Sequence, residues 1–324
     1  MKKVVVTGAG GFIGSHLTEK LVEMGLEVKA FIRYNSTNDW KWLEYLKCKS
    51  DIDVHSGDVR DYDSVYKALK GSDTVFHLAA LIGIPYSYVS PLAYIRTNVE
   101  GTYNVLQAAR ELNLENVLVT STSETYGTAQ YTPIDEKHPL VGQSPYSATK
   151  ISADQLAISY FRSFELPVKI VRPFNTYGPR QSARAIIPTV ISQLLIGNKE
   201  IKLGNLNPTR DLTFVKDTVN GFIEIAKSTS LNGQVSNIGM NDDISIGALV
   251  KLISGLMNKE IEIITDQQRI RPKDSEVEIL KCDNSFLLSN TDWKPEYNLR
   301  SGILETIEWF KDNHKSYKAD IYNV

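Results

Sequence analysis

The chain has 324 residues, 42% of them apolar and 23% charged, with a formal net charge of −2. That length allows one large domain or two around a sizeable core, and the near-neutral charge gives no reason to expect nucleic acid or an anionic membrane as partner. No apolar run approaches the roughly 20 residues of a bilayer span, and Cys48 and Cys282 offer neither a disulfide framework nor a metal-ligand pair.

The N-terminus, Met1-Lys2-Lys3 before Val4-Val5-Val6, has the look of a signal-peptide start. Its apolar run stops after three valines at a glycine loop, so a buried strand is the better reading. A reduced, soluble, cytoplasmic protein is expected. From there, short β-branched runs alternate with longer amphipathic ones. Strands are predicted at Val4–Thr7, Val28–Ile32, Ile52–His55, Thr74–Leu78, Val117–Thr120 and Val168–Val171. Helical patterns cover Ile13–Glu23, Tyr62–Lys70, Pro91–Leu112 and Tyr146–Phe164. Such alternation implies an α/β fold, a doubly wound parallel sheet covered on both faces. After Arg172 the rhythm changes: Pro173, Gly178, Pro179, Pro188, Gly197, Gly204 and Pro208 punctuate shorter segments. Residues 1–176, with about 211–240, are therefore expected to form the first domain. About 177–210 and 241–324 should form a smaller lobe. Phe214–Ala226 reads as a strand end and helix returning to the first sheet. Trp40 and Trp42 lie between the second and third strands without an assignable role.

The first strand runs into Gly8-Ala9-Gly10-Gly11-Phe12-Ile13-Gly14 and then into a helix. Glycines at 8, 11 and 14 permit a tight turn, close approach to a pyrophosphate and close helix–strand packing. The helix, opened by Phe12 and Ile13, offers free N–H groups and its positive dipole end to phosphate. Spacing alone is weak; strand before, helix after and N-terminal position together point to a Rossmann-like dinucleotide site. The second strand ends at Arg33, with no acid until Asp39. Arginine there favours the 2′-phosphate of NADP over NAD, unless Arg33 simply stacks on the adenine. Asp58 and Val59, after the third strand, are placed to contact the adenine. His77 and His16 read as packed structural histidines.

Tyr146 and Lys150 share a helical face. An ammonium near a phenol favours phenolate, which would make Tyr146 a general base for a substrate hydroxyl. The spacing recurs at Tyr45/Lys49 and Tyr66/Lys70, where surface positions are expected. The Tyr146 copy alone follows a strand ending in the hydroxyls of Thr120-Ser121-Thr122. Glu124, in Ser121-Thr122-Ser123-Glu124-Thr125-Tyr126-Gly127, is a carboxylate that plain alcohol oxidation does not need.

The glycine pattern, Leu78-Ala79-Ala80, Asn98, Thr122, Tyr146, Lys150 and Arg172-Pro173-Phe174-Asn175-Thr176-Tyr177-Gly178-Pro179-Arg180 together resemble an extended short-chain dehydrogenase/reductase acting on nucleotide sugars. The resemblance covers nearly the whole chain. It implies a retained NAD or NADP touching Leu78, Ala79, Ala80 and Asn98, transient oxidation at sugar C4, and a smaller C-terminal lobe holding the sugar nucleotide. It also implies a homodimer through a four-helix interface, here from Asn98–Leu112 and Tyr146–Phe164.

Family 4-epimerases carry small residues where Glu124 stands, whereas 4,6-dehydratases place an acid pair there, the second acid removing the C5 proton. Glu124 matches that second acid. Ser123 stands where the commonest dehydratases have an aspartate that protonates the departing C6 hydroxyl. That proton is left to Glu124, a water on Ser123, or Tyr146. UDP-glucuronate decarboxylases share the Thr-Ser-Glu-x-Tyr-Gly pattern. Phe31-Ile32-Arg33-Tyr34-Asn35-Ser36, Ile84-Pro85-Tyr86-Ser87-Tyr88, Asp135-Glu136-Lys137-His138-Pro139-Leu140 and Pro208-Thr209-Arg210-Asp211-Leu212-Thr213-Phe214-Val215-Lys216-Asp217 resemble NDP-N-acetylglucosamine 4,6-dehydratases of the legionaminic-acid type. Arg210 and Arg271 are the candidates for the substrate pyrophosphate, since a guanidinium fork suits phosphate. Asn175, Arg180, Tyr86 and Ser87 complete the expected substrate contacts. A decarboxylase or 4-epimerase on the same scaffold, or a non-catalytic dinucleotide-binding sensor, are the competing functions.

Overall fold

Valines that are buried on both faces of a strand belong at the centre of a parallel sheet, and Val4, Val5 and Val6 sit there at 1% exposure or less. The computed structural model describes residues 1–314 and residue 317. In chain order it has β1 (Lys3–Thr7), α1 (Phe12–Glu23), β2 (Glu27–Arg33), β3 (Ile52–Gly57), α2 (Tyr62–Leu69), β4 (Thr74–His77), α3 (Ile84–Val89) and α4 (Pro91–Tyr94). Next come α5 (Gly101–Glu111), β5 (Asn116–Thr120), α6 (Pro145–Phe164), β6 (Val168–Pro173), β7 (Asn175–Tyr177), α7 (Ile186–Leu195), β8 (Glu200–Leu203), β9 (Thr209–Arg210) and β10 (Leu212–Phe214). The chain continues through α8 (Val215–Lys227), β11 (Val235–Ile238), β12 (Ile244–Ser245), α9 (Ile246–Leu256), β13 (Glu262–Thr265), β14 (Ile279–Leu280), α10 (Ser285–Asn290) and α11 (Leu299–Asn313).

Among the described residues the main sheet has seven strands in the order β11-β6-β5-β4-β1-β2-β3, and every neighbouring pair is parallel. The six strands expected from sequence are all in it. The order reverses between β1 and β4, which opens a crevice at the carboxyl ends of those strands. β6 runs through Phe174 straight into β7, which pairs in parallel with β10. β9 pairs with β12 and β14, and β8 with β13. These small sheets therefore begin at the carboxyl end of β6. The expected return to the main sheet is made by β11 after α8, whereas β10 pairs with β7.

One segment departs from expectation, and one that had none finds its place. The single helix predicted from Pro91 to Leu112 is α4, a π-helical segment Ile95–Glu100, and α5. Asn98 lies in the wide turn, where its Nδ2 donates to Leu81 O at 2.9 Å and its Oδ1 accepts from Leu81 N at 2.8 Å. A buried amide needs such partners, and a π turn at a functional position is a recurring device. The unassigned tryptophan segment packs between the glycine loop and α11. Trp42 N donates to Gly10 O, and its ring meets Trp309 at 5.4 Å. No helix among the described residues is long and apolar enough to cross a membrane.

His77, at the end of β4, ties β1 to β4 and α5. Thr102 spends its hydroxyl proton on Asn98 O, so His77 Nε2–H donates to Thr102 Oγ1 at 3.0 Å. Thr7 Oγ1 accepts from Leu78 N and Ala79 N, leaving its proton for His77 Nδ1 at 2.8 Å. The neutral ring is fully partnered, and burial holds its pKa at about 3, below the ordinary 6.5. The unfolded chain takes up this proton below 6.5 while the folded chain does not, so stability is lost as pH falls through that range. From pH 7 to 5 the loss is about 2 kcal/mol. Urea unfolding at both pH values should show the wild type losing that amount relative to His77→Gln; parallel pH responses would contradict it.

Candidate active site

The β5–α6 junction positions the tyrosine–lysine pair. Ser144 caps α6: its Oγ accepts from Ser147 N at 3.1 Å, and Ser147 Oγ accepts from Ser144 N at 3.0 Å. Pro145 follows in the first turn, where its missing N–H costs nothing. Tyr146 and Lys150 then face the end of β5, at 6% and 4% exposure. Lys150 Nζ donates to Thr120 O at 2.5 Å. Thr122 hydrogen-bonds the Tyr146 phenol. Deeper down, Asp154 Oδ2 accepts from Ser121 Oγ and from Arg172 Nη2, each at 2.6 Å. This buried pair ties the ends of β5 and β6 to α6, and Arg172 also lies over the Tyr126 ring at 4.6 Å.

The electrostatics differ from the expectation that Lys150 pulls Tyr146 towards phenolate. Burial pushes the Tyr146 phenol well above its usual range, outweighing the Thr122 hydrogen bond, and Glu124 pushes it the same way. Burial also lowers the Lys150 pKa, with Asp154 opposing. Among the protein's own groups, desolvation wins and the phenol keeps its proton. The other tyrosine–lysine spacings lie at the surface, with Tyr45, Lys49 and Lys70 exposed.

Thr122 caps a short 3₁₀ turn, Ser123–Tyr126, through a 3.3 Å bond from Glu124 N to its Oγ1. This turn leaves Glu124 half-exposed and buries Ser123 at 2%. The charge of Glu124 acts on two groups from opposite parts of the chain. It raises the Tyr146 phenol and supports the charged form of Arg210, whose pKa burial otherwise depresses. Arg210 pairs with Glu276 at 3.3 Å, and so does Arg271. Asn175 N donates to the carbonyl of Asp211, next to Arg210. Tyr146, Glu124, Asn175, Arg210 and Arg271 are thus drawn together from five segments. Arg180 is drawn elsewhere: it bonds Glu19 at 2.8 Å and Ser15 at 3.4 Å, both on α1. Tyr86 is 40% exposed, while Ser87 is fully buried and donates to Ile84 O.

The glycine loop forms a cradle fitted to a dinucleotide. Gly8 sits at φ +71°, where a Cβ would lie 2.9 Å from Ala79 N, and a Cβ on Gly14 would lie 2.3 Å from Gly8 O. Gly11, the N-cap of α1, brings no side-chain cap, and the first turn carries no acid. Those N–H groups and the dipole suit a phosphate. Leu78 and Ala79 follow β4 with their N–H groups on Thr7, and Ala80 comes next. Arg33 is exposed at the end of β2. Asp58, after β3, is engaged by Arg60 at 2.5 Å, and Val59 is buried.

Three contributors were missed in the sequence. Tyr94 is fully buried edge-on to Tyr146 at 6.2 Å, with its hydroxyl on Gly83 O. Gln143 takes the N–H of Thr128 on its Oε1 at 2.5 Å, and its Nε2 donates to Asp274 O at 3.1 Å. Glu276 joins the two arginines. Tyr94 was hidden inside an apparently regular helix, Gln143 reaches Asp274 across 131 residues, and Glu276 pairs with Arg271 five residues away but with Arg210 only across 66.

Known proteins share both sequence and fold with this chain. The family model described as GDP-mannose 4,6 dehydratase matches residues 5–306. A human dTDP-D-glucose 4,6-dehydratase is 30% identical, the match covering 98% of this chain and 92% of that protein. A UDP-N-acetyl-alpha-D-glucosaminuronate decarboxylase from Bacillus cytotoxicus is 32% identical, covering 96% and 98%. The solved structure of MoeE5 in complex with UDP-glucuronic acid and NAD superposes with a TM-score of 0.85 at 29% identity, covering 96% and 99%. With a parallel sheet in this order, a glycine cradle at its switch point and a match through almost its whole length, the chain belongs to the GDP-mannose 4,6-dehydratase family of nucleotide-sugar enzymes.

Proposed function

We propose that the protein is a nucleotide-sugar 4,6-dehydratase that takes UDP- or GDP-N-acetylglucosamine to the 4-keto-6-deoxy product. The observation that carries this reading is Glu124, a carboxylate acting on both Tyr146 and Arg210. A nicotinamide dinucleotide, held by Gly8, Gly11, Phe12, Ile13 and Gly14, supplies hydride-transfer chemistry at the sugar when bound. Tyr146, with Thr122 and Lys150 beside it, accepts the O4 proton. Glu124 takes the C5 proton, acidic once C4 is a ketone, and the C6 hydroxyl departs as water. Arg210 and Arg271 hold the diphosphate, and Asn175 lies beside them. Ser123, at 2% exposure, has little room for a bound water, which leaves Glu124 or Tyr146 to protonate the leaving hydroxyl. Arg33 favours NADP, whereas MoeE5 was solved with NAD.

The decarboxylase relative makes the second reading concrete. Incubation with UDP- and GDP-N-acetylglucosamine and with UDP-glucuronate, followed by mass analysis and titration of both dinucleotides, separates the possibilities. Loss of water from an N-acetylglucosamine nucleotide is expected. Loss of CO2 from UDP-glucuronate would make it a decarboxylase, and a retained mass with altered chromatography a 4-epimerase. Dinucleotide binding with every sugar returned unchanged would leave a sensor.

A further inference from the structure

If Arg210 and Arg271 hold a diphosphate, as proposed above, the residue between them becomes informative. Arg210 Nη2 and Arg271 Nη1 approach the same atom, Glu276 Oε1, each at 3.3 Å. Two guanidiniums converging on one anionic oxygen is the arrangement that a phosphate oxygen takes. The Arg210 and Glu276 side chains are 9% and 12% exposed, so their charges are poorly served by water. The backbone beneath Glu276 is independently fastened. Its N–H donates to Pro272 O at 3.1 Å, and its carbonyl accepts from Gln143 Nε2 at 3.4 Å. The neighbouring Ser275 Oγ lies 2.5 Å from the Tyr88 hydroxyl. The turn is thus held by bonds that do not involve the carboxylate, which leaves the side chain able to change partners while the turn stays in place.

We propose that Glu276 is an internal stand-in for the substrate diphosphate, keeping Arg210 and Arg271 converged and yielding its place when the diphosphate enters. Two guanidiniums share one carboxylate oxygen here, and Glu124 and Glu278 also support the charge of Arg210 from farther off. A diphosphate offers the two guanidiniums more negative charge and more oxygens than the carboxylate it displaces, which is what favours the exchange. The work of displacing Glu276 is subtracted from nucleotide affinity and eases release of product.

The test is calorimetric titration of the purified protein with UDP, GDP and dTDP. Glu276→Gln keeps the side chain's shape and removes its charge, so it should bind the preferred nucleotide about tenfold more tightly, a difference of about 1.4 kcal/mol. Arg210→Gln and Arg271→Gln should bind it more weakly. If the arginine variants weaken but Glu276→Gln does not tighten, the stand-in role is overturned and the diphosphate reading survives. Arginine variants that bind like the wild type, or a wild type that binds none of the three, overturn both. A crystal structure of the wild-type protein with the bound nucleotide decides independently of any variant. Glu276 separated from both guanidiniums supports the proposal, and Glu276 still paired with them refutes it.

Discussion

Glu124→Gln should stop release of the dehydrated sugar while leaving the first oxidation intact. The substitution is isosteric but cannot accept a proton, and removal of one positioned acid–base group costs about 10²–10⁴ in rate. Its second consequence separates it from general damage. In the wild type the Glu124 charge raises the Tyr146 phenol; without it, phenolate is easier to form. Removal of the O4 proton should therefore proceed at least as fast, and the absorbance of reduced nicotinamide should build up rather than pass transiently. Exchange of the sugar C5 hydrogen with solvent deuterium, followed by NMR, should disappear. A variant that forms product at the wild-type rate removes Glu124 from the mechanism.

Tyr146→Phe should abolish both the oxidation and everything after it, with a fall in kcat of about 10²–10⁴. Binding of the nucleotide sugar should change little, because Arg210 and Arg271 lie on other segments. The pH response carries the physical content. Burial raises the phenol above its ordinary value, so the basic form is the minor one at neutral pH. Raising the pH increases its share, and the oxidation step should accelerate from neutral to mildly alkaline pH. The phenylalanine variant should show a flat residual rate over the same range. An oxidation rate that is independent of pH in the wild type would mean that Tyr146 is not the group losing the proton.

Much of this protein could be read from local pattern. Valines buried on both faces, helices at their proper period, glycines where a Cβ would strike backbone and a tyrosine one turn from a lysine are all short-range signals. The period of the chain and the stereochemistry of glycine encode them directly. The same kind of reading failed at the π-helical turn around Asn98. There a side chain bonded to Leu81, seventeen residues away, sits in a widened turn that helical periodicity does not register.

The state of the catalytic pair was a different matter. A lysine near a tyrosine suggested a lowered phenol pKa, because adjacency is visible in sequence. Burial, which reversed the sign, is a sum over atoms from many elements, among them Tyr94. The environment of Glu124 has the same origin, since β9 and its arginine reach it only after the chain has passed through three strands and two helices beyond Glu124. Glu276 is the clearest case. In sequence it is one acid among 38 acidic residues, and its meaning comes from two guanidiniums that folding brings to a single oxygen. Residue types and spacings thus set the scaffold and name the chemistry available, because conformational preference and hydrophobic period are local. Protonation and charge pairing await the folded chain, because Coulomb energies and desolvation depend on distance through space.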